Sequence, residues 1–210
     1  MTILVTGASR GIGHALAAAY AAAGQRVIRA NRNPVGDQWR LDVTRPADFD
    51  ALRDRLEGES LDLLVCNAGI YNDEASADAQ RTAELWAQAF AVNVTGAFLT
   101  VQACLPALRR GAGKIALIGS AMGSDQRAPG GSYAYRASKA ALLNLGRNLA
   151  ADLDLPVGIY HPGWVRTDMG GAGAEIELRQ SVAGLMQRFA ELDTDSSGCF
   201  RAFDGSSVPF

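Results

Sequence analysis

The chain has 210 residues, enough for one domain with a large buried core. Hydrophobic residues make up 48%, charged residues 20%, and the formal net charge is −2, so no overall basic field would draw it to nucleic acid or to an anionic membrane surface. Cys66, Cys104 and Cys199 are odd in number and widely spaced, with no CxxC, which argues against a disulfide framework and a zinc site and points to a reducing, cytoplasmic compartment.

Along the chain, strands and helices alternate. ILVTG (3–7) reads as a short apolar strand, with no secretory signal before it, and GIGHALAAAYAAAG (11–24) as an Ala-rich helix closed by Gly24. QRVIRAN (25–31) is the second strand. WRLDVT (39–44) is the third, after which Thr44 caps a helix from about Pro46, with proline at its first position. LDLLVCNAG (61–69) is a fourth strand, apolar without alternation, as in a parallel strand covered on both faces. A long helical region is predicted from Ala79 to Leu108; no apolar run is expected to reach the roughly 18 residues of a membrane span. KIALIGS (114–120) is the fifth strand, YAYRASKAALLNLGRNLAADL (133–153) the next helix and PVGIYHPG (156–163) the sixth strand. After the Gly-rich GGAGA come a helix near Glu175 to Leu192 and a short strand, CFRAF. This alternation implies right-handed βαβ units: an α/β fold built on a doubly wound parallel sheet of about seven strands with helices on both faces. No repeat, linker or composition break divides the chain, so residues 1–210 are read as a single domain.

Gly7, Gly11 and Gly13 fall in the turn between the first strand and the first helix. Glycine lets a backbone approach a pyrophosphate closely, and the helix after the turn aims its N–H groups and positive dipole end at the phosphates. The spacing is GxxxGxG, not the commoner GxGxxG, and a turn that merely packs helix on strand is the competing reading. At the end of the second strand an acidic residue usually bonds the ribose 2′-OH of NAD. Here the segment is Arg29-Ala30-Asn31-Arg32, with Asn31 where that carboxylate would stand. Arg32 is next in the chain, and Arg10 projects from the first turn; two guanidiniums can pair with a 2′-phosphate, which favours NADP over NAD. The alternative is that both arginines are solvated surface residues.

Tyr135 and Lys139 stand four apart in a predicted helix and therefore share one face. A phenol ordinarily titrates near about 10, and a nearby cation favours the phenolate, so Lys139 is expected to pull Tyr135 toward working pH. Such a pair suits proton transfer to a carbonyl that receives a hydride. His14 and His161 have no second ligand at a useful spacing, so no metal is expected.

Several motifs in order carry a resemblance over the whole chain: TGASRGIG; Asp42-Val43; Cys66-Asn67-Ala68-Gly69; Asn93 in AVNVTGAFL; Ser120 with Tyr135 and Lys139; and Pro162 to Thr167, PGWVRT. The chain resembles the short-chain dehydrogenase/reductase family, and within it a compact bacterial branch with C-factor-like and carbonyl-reductase-like members. The resemblance implies a Rossmann-type domain that binds NADP(H) and also carries the active site. Gly7, Ser9, Arg10, Gly11, Ile12 and Gly13 would form the cofactor turn; Asp42 and Val43 would flank the adenine; Asn67, Ala68 and Gly69 would meet the cofactor at the fourth strand's end. Tyr135 would be the general acid/base, Lys139 would also bond the nicotinamide ribose, Ser120 would hold the substrate oxygen, and Asn93 would orient a water linking Lys139 to solvent. Pro162 and Gly163 would shape the nicotinamide pocket, leaving Val165 and Thr167 to bond the carboxamide or the pyrophosphate. A homodimer or homotetramer is implied, with a small carbonyl or alcohol as substrate and no nucleic-acid or membrane partner.

The interval from Ser120 to Tyr135 is fifteen positions, where the family usually has twelve or thirteen, which leaves Ser120 and Ser124 as candidates for the active serine. Tyr71, Met122, Trp164 and Met169 are candidate walls of the substrate site; Trp164 could equally be packing. Two other readings remain: a non-catalytic nucleotide-binding signalling or regulatory protein on the same fold, and an NAD-linked dehydrogenase.

Overall fold

A computed structural model describes residues 1–73 and 82–210. Seven parallel strands form one sheet: β1 (Thr2–Thr6), β2 (Arg26–Asn31), β3 (Trp39–Arg40), β4 (Leu63–Cys66), β5 (Lys114–Ile118), β6 (Val157–His161) and β7 (Phe200–Ala202). Their order across the sheet is β3-β2-β1-β4-β5-β6-β7. The direction of winding reverses between β1 and β4, and in such sheets the crevice beyond the strands' carboxyl ends at that point receives the ligand. Side chains along β1 alternate between two cores. Leu4 joins Leu64, Ile115, Leu117 and Ile159 under α2 (Pro46–Arg55), α4 (Gly96–Arg110) and α5 (Tyr133–Asp152). Ile3 and Val5 join Leu63, Val65 and Tyr160 under α1 (Gly11–Ala22) and α6 (Leu178–Glu191). Both faces are covered, which is why the central strands read as unbroken apolar runs. Each fully buried Leu or Ile here contributes roughly 1.5–3 kcal/mol by leaving water.

Strands β4, β5 and β6 are shorter than the sequence segments read for them, and the structure departs from the sequence expectations elsewhere too. The third strand stops at Arg40, because Asp42 accepts from the N–H (3.0 Å) and hydroxyl (2.7 Å) of Thr44 and turns the chain out of the sheet. Thr44 therefore does not cap α2, whose N-cap is Arg45 with no side-chain bond. The long predicted helix is α3 (Ala83–Phe90), then a π-helical turn at Ala91–Thr95, then α4; residues 79–81 of that expectation lie outside the described residues. Thr82 caps α3 by accepting from the Leu85 N–H. Finally, α6 begins at Leu178 because Ile176 pairs with Val165 instead.

The continuous run Ala83–Arg110 is, by length and composition, long and apolar enough to cross a membrane, contrary to the sequence expectation. Half of its apolar window is buried in this fold, with α4 packed on β4, β5 and α2, as befits a core helix.

Candidate active site

A cleft of about 730 Å³ runs along the carboxyl ends of the strands. Its floor is a cross-link between the ends of β1 and β4. The Thr6 hydroxyl accepts from the N–H groups of Asn67 and Ala68, both at 3.0 Å. In return the Asn67 side-chain amide donates to the carbonyls of Thr6 (3.0 Å) and Gly7 (3.2 Å). The turn fits this frame only with glycine. Gly7 has φ +64°, and a Cβ there would lie 2.8 Å from Ala68 Cα; a Cβ on Gly13 would lie 2.3 Å from Asn67 Nδ2. These two gaps bring the backbone and the start of α1 up to the cleft, the approach that a pyrophosphate requires.

At the outer end, Asn31 is buried and donates to Gln38 Oε1 at 2.8 Å, while its own Oδ1 is buried with no partner among the described residues. Gln38 Oε1 also accepts from the Val35 N–H, which fixes the direction of both amides. Asn31 thus places a neutral amide, not a charge, at the edge of the cleft. Arg32 lines the cleft beside it and is exposed. Burial alone would raise the Asp42 carboxyl, but hydrogen bonds from Thr44 and the charges of Arg32 and Arg45 hold it below the usual carboxylate range. Arg10 bridges to Asp168 at 2.7 Å across the mouth, both side chains largely exposed. The donor set and the cradle fit a dinucleotide.

At the inner end, α5 presents Tyr135 and Lys139 on one face, both buried. Lys139 Nζ donates to the Ile118 carbonyl at 2.9 Å and lies 5.8 Å from the centre of the Tyr135 ring. The expected pull on the phenol is not what the structure has. Burial pushes Tyr135 up to about 12, with a hydrogen bond from Ser120 offsetting part of the rise. Burial likewise pushes Lys139 down to about 8. Desolvation favours the neutral form of both groups. Ser120 lies two residues beyond β5, where it caps a short 3-10 turn by accepting from the Met122 N–H at 3.1 Å, and meets the phenol; the Ser124 hydroxyl is buried and donates to the Phe210 carbonyl at 3.3 Å. Asn93 sits in the π-helical turn. Its Oδ1 accepts from the Ile70 N–H (2.9 Å), and its Nδ2 donates to the Ile70 carbonyl and to Ser138 Oγ, both at 3.0 Å.

Of the residues singled out from sequence, the cleft brings together Gly7, Ser9, Arg10, Gly11, Ile12, Asn31, Arg32, Asp42, Val43, Asn67, Ala68, Gly69, Tyr135, Lys139, Pro162 and Thr167. Gly13 lies behind the turn, Asn93 behind Ile70, and Ser120 beside the phenol. Gly163 has φ +87° and packs against Ile176 and Phe203, and the Val165 side chain is buried while its backbone bridges to Ile176; neither lines the cleft. Trp164 does not line the cleft and is 54% exposed; Nε1 donates to the Gly170 carbonyl at 2.9 Å, and the ring edge lies near Gly173. Met169 lines the cleft, and Tyr71 meets Tyr135 edge-on, with ring centres 4.7 Å apart. Sequence reasoning missed Thr6, whose place at a strand end before glycine was the available signal. It also missed Gln88, Ala91 and Val92, which line the cleft from the helical turn before and within the π segment.

The sequence pattern described as short chain dehydrogenase matches residues 1–177. The chain is 38% identical over 162 residues to the C-signal protein of Myxococcus xanthus, covering 71% of this chain and 93% of that one. It is 33% identical over 184 residues to the 3-oxoacyl-[acyl-carrier-protein] reductase FabG of Escherichia coli K12, covering 79% and 74%. Among solved structures, the NADPH-bound carbonyl reductase from chicken fatty liver superposes with a TM-score of 0.91 at 29% identity, over 100% of this chain and 98% of that one. The carbonyl reductase Sniffer of D. melanogaster gives 0.92 at 29% identity, over 100% and 99%.

Proposed function

The chain belongs to the short chain dehydrogenase family, and we propose that it is an NADP(H)-dependent carbonyl reductase in which Tyr135 is the general acid. The observation that carries this reading is one cleft with Tyr135 and Lys139 at its inner end, Ser120 beside the phenol, and the glycine turn, Arg10 and Arg32 at its outer end. When bound, the reduced nicotinamide supplies a hydride. The residues supply the rest. Tyr135 keeps its proton up to about pH 12, the state needed to protonate an oxygen that becomes an alkoxide. Ser120, whose one O–H lies beside the phenol, would turn it to that oxygen as the phenol gives up its proton. Lys139, pushed down to about 8 and still mostly charged at pH 7, would hold ribose hydroxyls and place a cation near the phenol. Gly7 and the start of α1 would meet the pyrophosphate, with Thr167 across the cleft, while Arg32 and Arg10 would hold the 2′-phosphate. Several structural relatives contain NADP or NADPH, which supports the choice of cofactor.

The test is a panel of aldehydes, ketones and quinones assayed by loss of reduced-cofactor absorbance, with Tyr135→Phe as control. The reading expects turnover that falls at least about a hundredfold in Tyr135→Phe while NADPH binding stays within twofold. Arg32→Asp should weaken NADPH at least tenfold and leave NADH unchanged; equal native affinities for both would favour an NAD-linked dehydrogenase. The likeness to C-signal supports a second reading, a signalling protein that binds the nucleotide without turning over. NADPH binding with no turnover across the panel would select it. We further place the protein in the cytoplasm, as a dimer or tetramer joined through the outer faces of α4 and α5, where Phe98, Leu145 and Leu149 line a shallow groove.

A further inference from the structure

We propose that Asp73 is a positioning residue for Tyr135, fixing the first turn of α5 from outside the helix; this rests on the reading of Tyr135 given above. The first N–H groups of a helix have no partner within it, and the N-cap side chain usually supplies one. Here the N-cap is Ser132, in a left-handed conformation (φ 46°, ψ 46°) that makes no side-chain cap. Its hydroxyl is instead hydrogen-bonded to Tyr71 at 2.8 Å. The cap comes from sixty residues upstream. Asp73 Oδ2 accepts from the N–H of Ala134 (2.5 Å) and of Tyr135 (3.3 Å), the second and third residues of the helix. Asp73 is 2% exposed. A buried carboxylate at a helix N-terminus is stabilised by the dipole and by charge-assisted bonds, which also hold the helix where the carboxylate is.

The other end of the Tyr135 peptide is held as well. Ser138 Oγ donates to the Tyr135 carbonyl at 2.7 Å and accepts from Asn93 Nδ2 at 3.0 Å. Asn93 in turn grips both polar groups of Ile70. The segment 70–73 is thus a strap, fastened at Ile70 to the π-helical turn and at Tyr71 and Asp73 to the start of α5. Through it the backbone of Tyr135 is bonded at its N–H and at its carbonyl before any ligand arrives. The phenol's place in the cleft depends on the strap as much as on helix packing.

The test compares Asp73→Ala and Asp73→Asn. Three quantities are measured well below the unfolding temperature: amide hydrogen exchange, NADPH affinity by fluorescence, and kcat and KM on the best substrate of the panel. Asp73→Ala should speed exchange of the Ala134 and Tyr135 amides at least tenfold with the sheet amides unchanged. It should lower kcat at least tenfold while KM and the NADPH Kd stay within threefold. Asp73→Asn keeps an acceptor in place and should recover exchange and kcat to within threefold of native. Exchange and kcat within twofold of native in Asp73→Ala would overturn the proposal, as would parallel loss of kcat and NADPH binding, which marks general damage. Should Asp73→Ala not fold, Asp73→Ser, whose hydroxyl falls short of the helix, carries the same expectations. If Tyr135→Phe abolishes turnover and Asp73→Ala does not, the reaction stands and the positioning role falls. If the native protein never turns over but Asp73→Ala still loosens α5, the strap stands and the reaction falls.

Discussion

The side-chain amide of Asn67 occupies the space that a methyl group on Gly13 would need: an ideal Cβ on Gly13 falls 2.3 Å from Nδ2, with Gly7 O 2.6 Å away. Asn67 is not free to yield, since the same nitrogen bonds the carbonyls of Thr6 and Gly7. Gly13→Ala should therefore lift α1 away from the strand ends. The expected cost is about 1–3 kcal/mol of stability, as for other overpacked sites. NADPH affinity should fall at least tenfold. Thermal unfolding and fluorescence titration check the two effects separately.

Ser120 and Ser124 are separated by their partners. Ser120 meets the phenol, whereas Ser124 is tied to Phe210 and faces away from the chemistry. Ser120→Ala should lower kcat by about a hundredfold, the scale seen when one donor to a developing oxyanion is lost. Ser124→Ala should leave kcat within threefold. The reverse order in steady-state assays would move the active serine along the loop.

Lys139 destabilises the fold in which it sits. Its amine is pushed down to about 8 by burial, from an ordinary value near 10.5. Below pH 8 both folded and unfolded chains carry the charge, and the folded one bears the whole desolvation penalty. Between pH 8 and 10.5 the unfolded chain binds more protons, so stability rises with pH across that window. Lys139→Met should be more stable than the native protein at pH 7 by on the order of 1–3 kcal/mol, less the loss of the bond to Ile118. The difference should shrink toward pH 10 in urea unfolding, while turnover is lost at every pH.

His161 acts in the opposite pH range. Burial, reinforced by Arg127 and partly countered by Asp204, pushes its imidazole down to about 4. The folded protein keeps it neutral while the unfolded chain protonates near 6.5, so stability is lost as pH falls from 6.5 to 4. The loss should be on the order of 2–3 kcal/mol at most. His161→Asn should flatten this part of the acid limb in denaturation at pH 7, 5.5 and 4.5. Equal slopes for both proteins would assign the acid limb to carboxylates alone.

The alternation of strands and helices was legible because period and spacing are local signals: Leu63, Leu64 and Val65 already declare a strand covered on two sides. The glycine turn, Tyr135 and Lys139 were legible for the same reason, as short motifs within one element or one turn. What sequence could not give depends on contacts between distant segments. The direction of the Tyr135 shift comes from burial of the phenol, a property of the assembled fold. The cap of α5 comes from Asp73, sixty-one residues before Ala134. The π-helical turn at Ala91–Thr95 lies inside a stretch whose apolar pattern is that of an ordinary helix, and nothing in the pattern marks the change in winding.

That turn also constrains how the chain can change length. Each residue advances a helix by about 100°, so the surplus residue in the widened turn sets the angular phase of α3 against that of α4. A one-residue deletion there would restore regular winding and yield a better helix. It would also swing Asn93 away from Ile70, slacken the strap and misplace the phenol. Gene variants that shorten this segment by one residue should be well folded and inert.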